Sequence, residues 1–209
     1  MQALLSNEID VSKIDFRNVS KTDYGGKNVP VAHNGRMLVM QTPVMYSHFG
    51  ISRHEDDTNG RVSYSMNVDV RDMEEHKSIE HFYDLMVNLE KKLVQAGVEN
   101  SKEWFGKKLD QEVVEDMLSP ILRYRTDENG EKMTQYPASF KLSLPYYNDK
   151  FSMELYDTDA DPIPQEEMET YLGRGCRVRA IMSCKGIWII GKKFGISWRV
   201  HMMHGRSGE

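Results

Sequence analysis

Hydrophobic and polar positions alternate along much of this chain with the two-residue period of half-buried strands, except in one block where the spacing changes to three and four. The clearest alternation lies at 62–70, where Val62, Tyr64, Met66, Val68 and Val70 are separated by Ser63, Ser65, Asn67 and Asp69, so one face packs and the other is wetted. Two earlier stretches, 9–19 and 36–46, read as strands because turn signals bound them: Gly25-Gly26, His33-Asn34-Gly35 and the polar run 56–60. After Asp72 the apolar residues Ile79, Phe82, Met86, Leu89 and Leu93 fall three and four apart, which predicts a long amphipathic helix over 74–96, stopped by Gly97. A second helix is expected from Asp110 as N-cap, through Val113, Val114, Met117 and Leu118, to Ser119-Pro120. The apolar stripe of this helical insertion, about 74–122, is expected to pack on the strands.

Alternation returns in Phe140, Leu142 and Leu144, then in Phe151, Met153 and Leu155, with Asn148-Asp149 as the turn of a hairpin. The last third reads as three strands, 177–183, 186–190 and 194–203, the final two joined across Gly191-Lys192-Lys193. No internal repeat is present, so solenoids drop out. The expected architecture is mostly β with inserted helices, built as one domain over 1–209.

Composition changes this picture little. With 39% hydrophobic and 28% charged residues in 209, the chain can bury a core and is too apolar for wholesale disorder. No stretch approaches the roughly 18–20 apolar residues that span a bilayer, and the first ten residues carry neither a basic n-region nor a long apolar h-region. The expectation is an intracellular protein, neither secreted nor membrane-spanning. Two cysteines, Cys176 and Cys184, make no disulfide framework and fit a reducing compartment.

Charge matters more. A net charge of −5 does not by itself suggest a partner covered in phosphates. Its distribution matters more: residues 157–170 hold six carboxylates and no basic residue, whereas 171–209 hold eight basic residues against Glu209 alone. A cationic surface on an acidic protein is therefore available, as is a solvated basic edge without a partner.

No nucleotide-binding glycine loop and no Gly-x-Ser-x-Gly elbow occurs, and the paired carboxylates Asp56-Asp57, Glu74-Glu75 and Glu166-Glu167 lie in polar surroundings. We expect no enzyme, no catalytic residue and no cofactor. Cys176, Cys184, His201 and His204 are the one metal-like grouping, but the cysteines are eight apart and the two histidines would point to opposite faces of a strand, so no metal is expected. The informative pattern is at the end of the chain. Val178, Ala180 and Met182 alternate with Arg177, Arg179 and Ile181, and Ile196, Trp198, Val200 and Met202 alternate with Ser197, Arg199 and His201. In neighbouring strands Arg177, Arg179 and Arg199 would form an outward cationic stripe, flanked by Lys185, Lys192 and Lys193 at the loop ends. Rings for base stacking would come from Trp188, Phe194, Tyr146, Tyr147, Tyr46 and Tyr64, each of which could instead be core or cross-strand packing. Trp198 is assigned to the core.

The stretch from Gly175 to Ile181, followed by Gly186-Ile187-Trp188 and by Gly191-Lys192-Lys193-Phe194-Gly195-Ile196-Ser197-Trp198, resembles the closing strands of single-stranded DNA-binding proteins of short-tailed phages and of their relatives in nucleocytoplasmic large DNA viruses. Two further features are similar: Val39-Met40-Gln41-Thr42-Pro43 leading to Phe49-Gly50-Ile51, and the long helix inserted between barrel strands. The resemblance implies an OB-fold barrel that coats exposed strands without sequence preference during viral DNA replication, recombination or repair. It also implies partners among replication proteins, a homodimer, and a site in the host cytoplasm or nucleus. Such proteins often end in an acidic tail that recruits partners, whereas this sequence ends Arg206-Ser207-Gly208-Glu209. Either that tail has been removed, or its role is absent or taken by the internal acidic stretch 157–169. The alternative from another class is a viral structural or assembly protein that uses the same barrel as a protein-interaction module.

Overall fold

The strands expected at 177–183 and 186–190 are one continuous strand, which forms a hairpin with the last. In the computed structural model, which describes residues 2–23 and 25–208, Arg177–Ile190 and Lys193–Arg206 run antiparallel, from Arg177 opposite Arg206 to Ile190 opposite Lys193. The other edge of Arg177–Ile190 is paired in succession by Met45–Tyr46, Val39–Gln41 and Lys27–Val29. Val62–Asp69 joins through Tyr46 and pairs with Ile51–Glu55 and Ser139–Leu144. Glu154–Tyr156 runs parallel along Met202, Met203 and His204 of the last strand. The sheet curls into a half-barrel carrying a helical insertion, an OB-like architecture.

Period-two burial accounts for the core. Met66, Val68, Phe140, Leu142, Val178 and Ala180 all turn inward and are buried. The helix Lys77–Glu99 closes this core with Ile79, Phe82, Met86, Leu89 and Leu93, and Phe82 meets Phe140 edge to face at 5.3 Å. Each such side chain taken fully out of water contributes about 1.5–3 kcal/mol. Among the described residues no helix is long and apolar enough to cross a membrane.

Several expected boundaries move, each for a local reason. The long helix runs through Gly97 to Glu99 and ends at Asn100. Gly97 is not its stop: a Cβ there would lie 2.7 Å from Val114 Cγ1, so the glycine lets the helix Gln111–Met117 approach. Gly97→Ala should therefore destabilise the protein by about 1–3 kcal/mol in urea denaturation, despite the roughly 1 kcal/mol helix-propensity gain of alanine. The same substitution in a Val114→Ala background should lose that penalty. A short helix, Ser101–Phe105, not expected from the pattern, follows and ends at Gly106 with φ 81°.

The 9–19 strand is reduced to Ile14–Phe16, because Asp10 accepts from Ser12 N and caps the 3₁₀ turn Val11–Lys13. The 36–46 strand divides around Thr42-Pro43, since proline offers no N–H to a ladder. The hairpin expected between 140–144 and 151–155 is also corrected. Ser139–Leu144 pairs with Val62–Asp69 instead, and the Asn148-Asp149 turn, with φ of 50° and 58°, joins only Tyr146–Tyr147 to Lys150–Phe151.

Candidate nucleic-acid interface

Where the half-barrel stays open, between Ser139–Leu144 and the last strand, a groove of about 410 Å³ crosses the surface. Lys141 and Ser143 reach it because they alternate with the buried Phe140, Leu142 and Leu144. Arg61 stands at the start of Val62–Asp69, and Lys185 and Arg199 come from the long hairpin. Asp56 is the one carboxylate along the groove. Its oxygens are engaged by the Thr58 N–H and the Asn59 amide, and backbone hydrogen bonding holds its pKa below the usual value.

The ion pairs among the described residues are Lys13 with Asp10, Arg53 with Glu55 and Arg71 with Asp69. Arg61, Lys141, Lys185 and Arg199 enter none of them, so the field along the groove is positive on a chain that is acidic overall. Arg199 is steadied by donating to Ser152 Oγ at 3.1 Å. Aromatic rings lie among the cations. Tyr147 is 49% exposed, while Tyr146 is half-buried and edge-on to Tyr64 and Phe151. Trp198 is half-buried in the groove wall, and its Nε1 is buried without a hydrogen-bond partner in the protein. An orphaned donor of that kind costs free energy unless a ligand or water accepts it. Tyr64 underlies the groove and donates to Glu169 Oε1 at 2.6 Å; burial, then that carboxylate, pushes its phenol up to about 12, so it remains protonated. Beyond Lys141, Ser143 and Trp198 a second depression of about 230 Å³ reaches Trp188 and Arg123.

Two β-bulges in the hairpin set these directions. His201 and Lys185 are each left over in the register, between the pairs Met182–Val200 and Ile181–Met202 and between Cys184–Trp198 and Gly186–Ser197. Each extra residue inverts the alternation beyond it. Thus Met203, not Met202, is buried with Val200, and Ile187 and Ile189 face the core. Gly186, at φ 118°, permits the second bulge: a Cβ there would stand 2.7 Å from the Val29 carbonyl oxygen.

The structure brings Lys185, Arg199, Tyr146 and Tyr147 together in the groove, and puts Trp188 at its continuation with the ring against Gly195. The expected stripe is divided. Arg177 lies over the Tyr46 ring at 5.5 Å, and Arg179 lines a different cleft with His81 and Ser78. Lys192 is exposed at the hairpin tip, and Lys193 donates to the Asp116 carbonyl at 2.7 Å. Phe194 is corrected outright. It is fully buried against Trp104 and Phe105 and offers no face to a base. Trp198, expected in the core, packs against it half-buried and at the same time forms part of the groove wall. Lys141 and Arg61 were not singled out from the sequence; Lys141 was legible as a basic residue on the wet face of an alternating strand, whereas the position of Arg61 depends on the fold.

The metal-like grouping is dispersed. Cys176, just before the strand Arg177–Ile190, and Cys184 within it are buried eight residues apart, roughly 25 Å at strand rise. Burial pushes their thiols up to about 11 and about 12. His201 Nε2 is 2.8 Å from Ser183 Oγ, and His204 stacks on Tyr156.

A family model described as "Family of unknown function (DUF5871)" matches residues 65–207. No curated protein matches the sequence. Among solved structures, the single-stranded DNA-binding protein from bacteriophage Enc34 in complex with ssDNA is similar over 92% of this chain and 96% of that one, at 12% identity and a TM-score of 0.49. The C-terminal truncation of the phage Enc34 protein is similar over 96% and 98%, at 11% identity and 0.49. A further structure of that protein is similar over 93% and 91%, at 12% identity and 0.46. Likeness at this level leaves function to the side chains of the chain itself.

Proposed function

This chain belongs to the DUF5871 family, a membership that prescribes no activity, and we propose from the groove itself that it binds single-stranded DNA without catalysing a reaction on it. One observation carries the reading: Arg61, Lys141, Lys185 and Arg199 flank a single groove with one engaged carboxylate, and Tyr147, Tyr146 and Trp198 lie among them. The cations neutralise successive phosphates, and the rings supply stacking that every base accepts, about 1–3 kcal/mol per base. Binding is therefore tolerant of sequence. A duplex holds its bases stacked and paired, away from such rings, so the single strand is the form the groove suits. Coating of exposed strands during viral-type DNA replication, recombination or repair, by the whole chain acting as one domain, follows from the resemblance of the terminal strands rather than from the groove.

Titration of tryptophan fluorescence with oligo-dT tests this. Four groove cations should give a log-log salt dependence with a slope of about −3, at about 0.7 per phosphate. A flat salt response, or no quenching at low salt, would overturn the proposal.

A further inference from the structure

A larger cleft, about 830 Å³, lies between the Lys77–Glu99 helix and the segment that follows the Gln111–Met117 helix. It is continuous with the groove: Ser119, Pro120 and Arg123 line both this cleft and the depression that holds Trp188 and Trp198. Resting on the single-strand reading above, we propose that this cleft is a second subsite, which takes the bases of the same DNA strand as it leaves the barrel past Arg123.

The side chains fit that ligand. The floor is apolar and aromatic, formed by the half-buried Val87, Val94, Tyr83 and Tyr124, a surface suited to the flat faces of bases. Cations border it: Lys91, Arg123 and Lys132 are exposed, and Lys132 Nζ is held 4.8 Å from the centre of the Tyr124 ring. Both carboxylates of the cleft are engaged within the protein. Glu90 accepts from the Ile121 N–H at 2.8 Å, and Glu115 accepts from the Gln111 amide at 2.6 Å. The hydroxyls of Tyr83 and Tyr124 lie 2.8 Å apart and tie the helix to the strand edge. Burial, then this hydrogen bond, pushes the Tyr124 phenol up to about 12, so that hydroxyl remains neutral beside a polyanion. The inserted helical block would thus lengthen the binding path as well as close the core.

Oligonucleotide length separates the two subsites. A short oligo-dT of about 4 nucleotides can occupy only the barrel groove, and one of about 12 can reach the cleft as well. The intact protein should bind the longer oligonucleotide at least tenfold more tightly per site. In the double variant Lys91→Glu, Lys132→Glu that gain should fall to about threefold or less, with affinity for the short oligonucleotide unchanged. Photo-crosslinking of terminal 5-iodouracil to Tyr83 or Tyr124, seen with the long oligonucleotide only, is the second expected result. An undiminished length gain in the variant overturns the proposal. Self-association that the variant abolishes, with no change in length gain, would instead make the cleft a contact between copies, and equally overturns it. Absence of oligo-dT binding at either length would overturn the groove reading itself, an outcome distinct from an undiminished length gain.

Discussion

Replacing Lys141 and Lys185 together by glutamate should weaken oligo-dT binding by about 100-fold at moderate salt, about 1.4 kcal/mol for each reversal. On the proposed reading each change removes one phosphate contact and sets a like charge in its place. The salt slope should therefore shrink by about 1.4, two phosphates at about 0.7 each. Both side chains are exposed, and neither enters an ion pair among the described residues, so the variant should unfold at the same denaturant concentration as the parent. The pair is chosen because the two lysines come from different strands and meet only in the groove. Unaltered affinity together with an unaltered slope would mean that DNA, if it binds at all, binds elsewhere.

The largest stability effect belongs to Phe194→Ala. This ring has no exposed surface, lies 5.2 Å from Phe105 and 6.3 Å from Trp104 between ring centres, and also backs the Gly97 contact. Truncating a buried phenylalanine costs about 3–5 kcal/mol, from lost burial and from the cavity left behind. That is a large fraction of the 5–15 kcal/mol typical of a domain. A shift of the urea midpoint at unchanged slope measures it. Phe194→Leu, which retains most of the volume, should leave oligo-dT affinity within about twofold. A large loss of binding in that folded variant would return Phe194 to the interface.

The contrast between Phe194 and Lys141 shows how far the sequence can be read. Both lie in strands, and alternation does say which residues share a face. Lys141 sits opposite a strictly apolar set, so its exposure follows from Phe140, Leu142 and Leu144 alone. Phe194 stands beside two lysines and a glycine in a hairpin turn, a setting in which an aromatic ring can face either way. Only the arrival of the inserted helices, with Trp104 and Phe105 above it, decides the matter.

The local pattern by itself determined the mostly β character, the helical block between strands, the terminal hairpin and the asymmetric charge, because period and turn chemistry are properties of neighbouring residues. Tertiary structure alone decided the rest. A bulge is invisible to a period-two reading, yet one extra residue at Lys185 and another at His201 reverse which side chains face out. Partner choice is non-local as well: Ser139–Leu144 takes Val62–Asp69 across about seventy residues rather than its sequence neighbour. Those two facts place Lys141, Lys185, Arg199 and Tyr147 around one groove and send Arg177 and Arg179 elsewhere. A site made of charges from separate strands exists only once the sheet has curled.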